Sequence, residues 1–184
     1  FPTRRSSDLF ILLCLAVGSI GGFATQDSID TWYATLNKPS WNPPNWVFAP
    51  VWTLLYIMMG IAAWLVWKTR DRIGPAMVLF GAQLGFNLLW SLVFFGLRSP
   101  GLALVEVVFL VGSVLLTMLA FFGRQTTAGW LFVPYLAWVS FAAVLNAAGI
   151  KTDGLDESQL LTAYNSLVAK PGEDRRRLLA ARKG

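Results

Sequence analysis

Five uninterrupted apolar runs of membrane-crossing length constrain this chain more than any other feature. They are Leu9–Ala24, Val47–Trp67, Gly74–Leu97, Gly101–Gly123 and Gly129–Ile150. About 20 apolar residues in a helix cross roughly 30 Å of hydrocarbon, and all but the first run are that long. The runs are apolar throughout and do not alternate with period two, so they do not read as barrel strands. Of 184 residues, 55% are hydrophobic and only 14% are charged. A soluble fold of this size must turn much of its surface to water and cannot hide so much apolar side chain. The expected fold is therefore all-α: an integral membrane bundle of five transmembrane helices over residues 9–150. Arg98-Ser-Pro and Gly123-Arg-Gln-Thr-Thr are tight turns, so consecutive helices run up and down. Lys68–Ile73 carries Lys68, Arg70, Asp71 and Arg72, which no lipid-buried segment holds.

The two ends are set apart from that bundle. Residues 1–8 are a polar stub read as non-native or disordered, and residues 151–184 are a polar, basic tail. Within the tail, Asp156–Ala169 has the apolar spacing of a short helix, and Arg175, Arg176, Arg177, Arg182 and Lys183 follow it. The net charge of +5 forms no basic stripe interleaved with exposed aromatics, so nucleic acid is not an expected partner. Histidine is absent and Cys14 is the only cysteine. That excludes His-based triads, zinc sites with His ligands and His-ligated haem; no metal site is expected and no cofactor is required.

Loop 25–46 is long, proline-rich and aromatic, with Trp32, Tyr33, Trp41 and Trp46. A disordered linker lacks such side chains, and long ordered loops serve as lids. Pro39, Pro43 and Pro44 stiffen it. Nine tryptophans are present. Trp64, Trp67 and Trp130 lie near span ends, as interfacial belt residues do. Trp52, Trp90 and Trp138 lie deeper, and Trp52 shares a helix face with Tyr56. Either belt packing or an internal cavity for a flat apolar ligand accounts for them. Gln83, Asn87 and Ser91 repeat at four-residue spacing, and Asn146 lies late in the fifth run. Such groups bond between helices or to a ligand, not to lipid. Glu106 is the only acid deep in a span. Gly81-Ala-Gln-Leu-Gly85 and Gly18-Ser-Ile-Gly21-Gly22 permit close helix approach, within one chain or between two. Pro50 is expected in the first turn of its helix, and Pro134 inside the fifth span.

The specific motifs are Trp32-Tyr33, Leu36-Asn-Lys-Pro-Ser-Trp-Asn-Pro-Pro44, Val47-Phe-Ala-Pro-Val-Trp-Thr-Leu-Leu-Tyr56, Met59-Gly-Ile-Ala62 and Gln83…Asn87…Trp90-Ser91…Phe94-Phe95. Pro134-Tyr-Leu-Ala-Trp138…Phe141-Ala142…Leu145-Asn146 completes the set. Together they resemble the TspO/MBR family of tryptophan-rich sensory and translocator proteins. The resemblance implies five transmembrane helices, a homodimer and a ligand pocket beneath the first loop; Gly81 and Gly85, from their spacing, are the candidate dimer contact, and a bacterial cell membrane is the expected location. It implies protoporphyrin IX, haem or another flat apolar molecule as ligand. By motif position Trp52 and Trp138 would be the pocket tryptophans. Phe48, Tyr56, Asn87, Trp90, Ala142 and Leu145 would line it, and Trp41 would belong to its roof. The role implied is receptor or sensor with a regulatory or transport function. The alternatives are light-dependent porphyrin degradation, carried by Trp52 and Trp138, or transport of a small molecule or sterol. After Asn146 the chain continues Ala147-Ala-Gly-Ile-Lys-Thr-Asp, so the sterol-recognition segment of animal members is not intact.

Overall fold

The computed structural model describes residues 4–36, 38–69 and 74–152. It contains α1 (Arg4–Ser28), which passes into a π-helical turn at Ile29–Tyr33, α2 (Asn45–Trp67), α3 (Pro75–Ser91), which passes into a second π-helical turn at Leu92–Gly96, α4 (Pro100–Phe122) and α5 (Thr126–Thr152). All five helices are long and apolar enough to cross a membrane, and no strand occurs among the described residues. The helix read for Asp156–Ala169, with the tail beyond Thr152, lies outside the described residues; Lys151 and Thr152 close α5.

Helix ends follow local chemistry. Pro75 and Pro100 sit at the first positions of α3 and α4, where a missing N–H costs nothing. Arg98 takes a left-handed φ of 50° in the turn between them. Two boundaries differ from the sequence reading. First, α1 starts before Leu9, so Arg4–Asp8 belongs to the helix and not to a separate stub. At its other end α1 runs past Ala24, so the strap between α1 and α2 is shorter than loop 25–46. Second, α2 begins at Asn45. That places Pro50 beyond the first turn, where its lost N–H does remove a helical bond; Pro50 faces outward.

The helices close into a ring: α1 packs on α2 and α3, α2 also on α5, and α4 on both α3 and α5. The α1–α2 crossing is very close. A Cβ on Gly60 would lie 2.6 Å from the Ile11 Cα and 2.8 Å from its N, so only glycine permits that backbone approach. Toward the α2 C-terminus the ring is filled by Phe80, Phe121 and Phe132, with ring centroids 5.0–6.3 Å apart. Val66, Val114, Thr117 and Ala128 are buried on the same side.

Candidate ligand site

A buried polar chain ties α2, α3 and α5 together at mid-bundle. Tyr56 Oη donates to Asn87 Oδ1. Asn87 Nδ2 donates to Tyr135 Oη at 3.1 Å, and Tyr135 Oη donates to Gln83 Oε1 at 3.0 Å. Gln83 Nε2 lies 3.8 Å from the Met59 sulfur. Both ends of the Asn87 amide are thus used between helices. Unpaired, these groups would cost heavily in hydrocarbon, so the network fixes the rotation of three helices about their axes. Asn146 does the same between α5 and α4, in the orientation where its amide donates to Pro100 O (3.3 Å) and accepts from Leu104 N (3.2 Å).

The aromatic residues stand on the side of this network nearer the strap. Trp52 lies over Tyr56, with centroids 5.6 Å apart and planes 30° apart, and meets the edge of Tyr135 on α5 at 6.2 Å. In the reverse direction Trp138 of α5 reaches Phe48 of α2 at 5.9 Å. The two indoles therefore cross the α2–α5 interface in opposite senses. Trp138 also touches Phe141, which Trp41 of the strap covers at 5.8 Å. Trp90 stands apart from that group and stacks on Phe94 at 5.1 Å, while Trp32 and Tyr33 press on the same Phe94 from the strap's first end. Ser28 Oγ donates to Phe95 O at 3.0 Å. Ala142 and Leu145 are half-buried on α5, beyond Trp138.

The strap holds its own shape. Tyr33 Oη donates to Asn42 Oδ1 at 3.2 Å. Lys38 Nζ donates to the Tyr33 and Leu36 carbonyls at 2.7 and 3.2 Å and sits 4.7 Å above the Tyr33 ring. Between α2 and α5 lies a hollow of about 400 Å³. Val51, Leu54, Leu55 and Met58 form one wall, and Pro134, Ala137, Trp138 and Phe141 the other. Both sets follow the i, i+3, i+4, i+7 spacing of a single helix face.

Several buried polar atoms are unsatisfied, at both ends of the bundle. The indole nitrogens of Trp64, Trp90 and Trp138 and both carboxyl oxygens of Glu106 are buried without a hydrogen-bond partner among the described residues. Trp64, in the last turn of α2, carries Lys68 Nζ 4.3 Å above its ring, and Trp67 packs on Phe10. Trp130 is exposed, as a belt residue should be. Gly81 and Gly85 lie on the outer surface of α3, where an added Cβ would meet nothing within 4 Å. Tyr135, the hub of the network, had no role assigned from sequence. Its position three residues before Trp138, on the same helical face, was the available signal. Phe94 and Phe141 were likewise motif residues without a stated contact.

A ring of five apolar helices with a tryptophan-rich interior under a tethered strap is a multi-pass α-helical membrane protein. Its lineage is equally definite: the TspO/MBR family profile matches residues 10–150, and the chain belongs to that family. It is 51% identical over 142 residues to the tryptophan-rich protein TspO of Chlorobaculum tepidum, covering 75% of this chain and 89% of that one. It is 44% identical over 137 residues to the tryptophan-rich sensory protein of Cereibacter sphaeroides, covering 74% and 84%. With the translocator protein of Sus scrofa it shares 40% identity over 138 residues, covering 71% and 82%. The bacterial relatives point to a bacterial cell membrane as its location.

Proposed function

We propose that this protein is a membrane receptor for tetrapyrroles, protoporphyrin IX and haem, held in the aromatic interior beneath the strap, with a regulatory or transport role. The observation that carries this reading is the reciprocal crossing of Trp52 and Trp138 between α2 and α5, with Trp138 also lining a hollow of about 400 Å³. That volume lies within the roughly 300–1,000 Å³ of small-molecule sites. A flat macrocycle is held by ring contacts worth about 0.5–1.5 kcal/mol each beyond area burial. The unsatisfied indole N–H groups of Trp90 and Trp138 suit a ligand with acceptor atoms at its edge, because a buried donor left unpaired is costly. The chain has no histidine, so imidazole cannot hold haem iron. We take binding to rest on ring-face contact, which both macrocycles offer, so protoporphyrin IX and haem compete for one site. We also propose that the small-residue surface at Gly81 and Gly85 joins two copies of the chain.

The test is a titration of the protein in lipid nanodiscs with protoporphyrin IX, followed by tryptophan emission. Saturable quenching that haem reverses by competition is expected. Trp138→Ala should weaken affinity by about tenfold, the loss of one stacked ring and its burial. Quenching that stays linear with porphyrin concentration would refute the reading.

A further inference from the structure

Resting on the reading above, we infer that the ligand enters and leaves sideways, from the bilayer through the gap between α2 and α5, and neither through the strap nor across the bundle. Two routes run out along the bundle axis, and a third passes between α2 and α5. The one toward the α2 C-terminus is closed by the packed rings of Phe80, Phe121 and Phe132, of which Phe121 and Phe132 are fully buried. The one through the strap is tied at both ends by ring contacts, Trp32 on Phe94 and Trp41 on Phe141, and internally by Tyr33, Lys38 and Asn42.

The third route is already open at its outer end. The α2–α5 hollow has wholly apolar side-chain walls apart from one indole, and its outer residues Leu54, Pro134 and Ala137 are exposed on the bundle surface. Its inner wall includes Trp138, whose ring also packs on Phe48, so the hollow ends against the aromatic cluster and a turn of that one ring would join them. The lining residues lie near the middle of both α2 and α5, within the hydrocarbon depth that helices of this length cross. A ligand dissolved in the bilayer reaches the site without exposing its apolar surface to water, an exposure that costs about 25 cal/mol per Å². At the mouth Ala137 contributes a single methyl where a larger side chain would bar passage. Pro134, one turn earlier, removes a backbone N–H from the same wall.

The test measures exchange rates of protoporphyrin IX between lipid vesicles and the protein in nanodiscs by stopped-flow porphyrin emission. Ala137→Phe should slow both association and dissociation, by about tenfold for each 1.36 kcal/mol added to the passage barrier, whereas a mere loss of binding contact would speed dissociation. Leu54→Phe should act in the same direction. Val108→Phe, a lipid-facing change on α4 of similar exposure, should leave both rates alone. Unaltered rates in the Ala137 and Leu54 variants would overturn the lateral route. So would a Trp41→Ala variant that speeds exchange while the mouth variants do nothing, since that assigns exchange to the strap. In either case a wild-type protein that still binds leaves the receptor reading standing; a wild type that shows no saturable binding removes both.

Discussion

Replacing Gly18 by alanine tests whether the close packing of α1 holds the ligand site in shape. A Cβ at this position would lie 2.6 Å from Cδ2 and 2.9 Å from Cζ of Tyr56. Ordinary contact begins near 3.4 Å, so the ring must withdraw by roughly an ångström, a shift a close-packed interior resists. It has little room to do so, because its hydroxyl is held by Asn87 and its face by Trp52. Overpacking of this kind costs about 1–3 kcal/mol. Stretching the Tyr56–Asn87 bond adds about 0.5–1.5 kcal/mol. Alanine's higher helix propensity returns about 1 kcal/mol, leaving a net loss of roughly 2 kcal/mol. Gly22 belongs to the same small-residue patch, but a Cβ there meets nothing within 4 Å. Gly22→Ala therefore keeps the propensity gain without the clash and should be neutral or slightly stabilising. Unfolding midpoints in detergent, measured side by side, give the two signs. Porphyrin affinity should fall in Gly18→Ala alone, because Trp52 moves with Tyr56. A Gly18→Ala protein at least as stable as Gly22→Ala would refute the packing argument.

Tyr135→Phe removes an acceptor for Asn87 and a donor to Gln83 in one step, whereas Tyr56→Phe removes a single bond. Membrane hydrogen bonds average about 0.6 kcal/mol, with a ceiling near 1.7. Thermal unfolding should show Tyr135→Phe as the more destabilised by about 0.6 kcal/mol, the worth of one further bond, and an order reversed from this would displace Tyr135 as the hub. Gly85→Leu adds bulk to an open surface, so the fold of one chain should be unaffected. If two copies meet there, chemical cross-linking in membranes should lose its dimer band, and an undiminished band would place the interface elsewhere.

The helix count and approximate spans were legible because hydrocarbon demands continuous apolar length, a signal that needs no partner to be read. The same continuity hid how the helices rotate. α2 is apolar around its whole circumference, and only the bonds of Tyr56, Asn87, Gln83 and Tyr135 show which faces turn inward. The Gln83–Asn87 spacing announced a polar face, but not that its partners would be two tyrosines 31 and 48 residues from Asn87 in sequence. Trp52 and Trp138 were singled out by depth. That they cross the same interface in opposite directions depends on the antiparallel pairing of α2 with α5. Gly81 and Gly18 both lie in small-residue patches. Only packing tells the outward surface of the first from the tight contact of the second.

The two π-helical turns, Ile29–Tyr33 and Leu92–Gly96, each widen the helix so that it accommodates one residue more than an α-helix of equal height. In the second, the Leu97 N–H reaches back to Leu92 O at 2.9 Å. Successive residues in a helix are about 100° apart around the axis. Deleting one residue from either turn would return it to plain α-helix without shortening the span, leaving what lies beyond nearly in register but re-aiming the side chains inside the turn itself. Phe94 and Phe95 would leave Trp32 and Tyr33, and the strap would lose its first anchor. A length change as small as a single codon, in a stretch that hydropathy reads as featureless, would thus unlatch the cover while all five crossings survived.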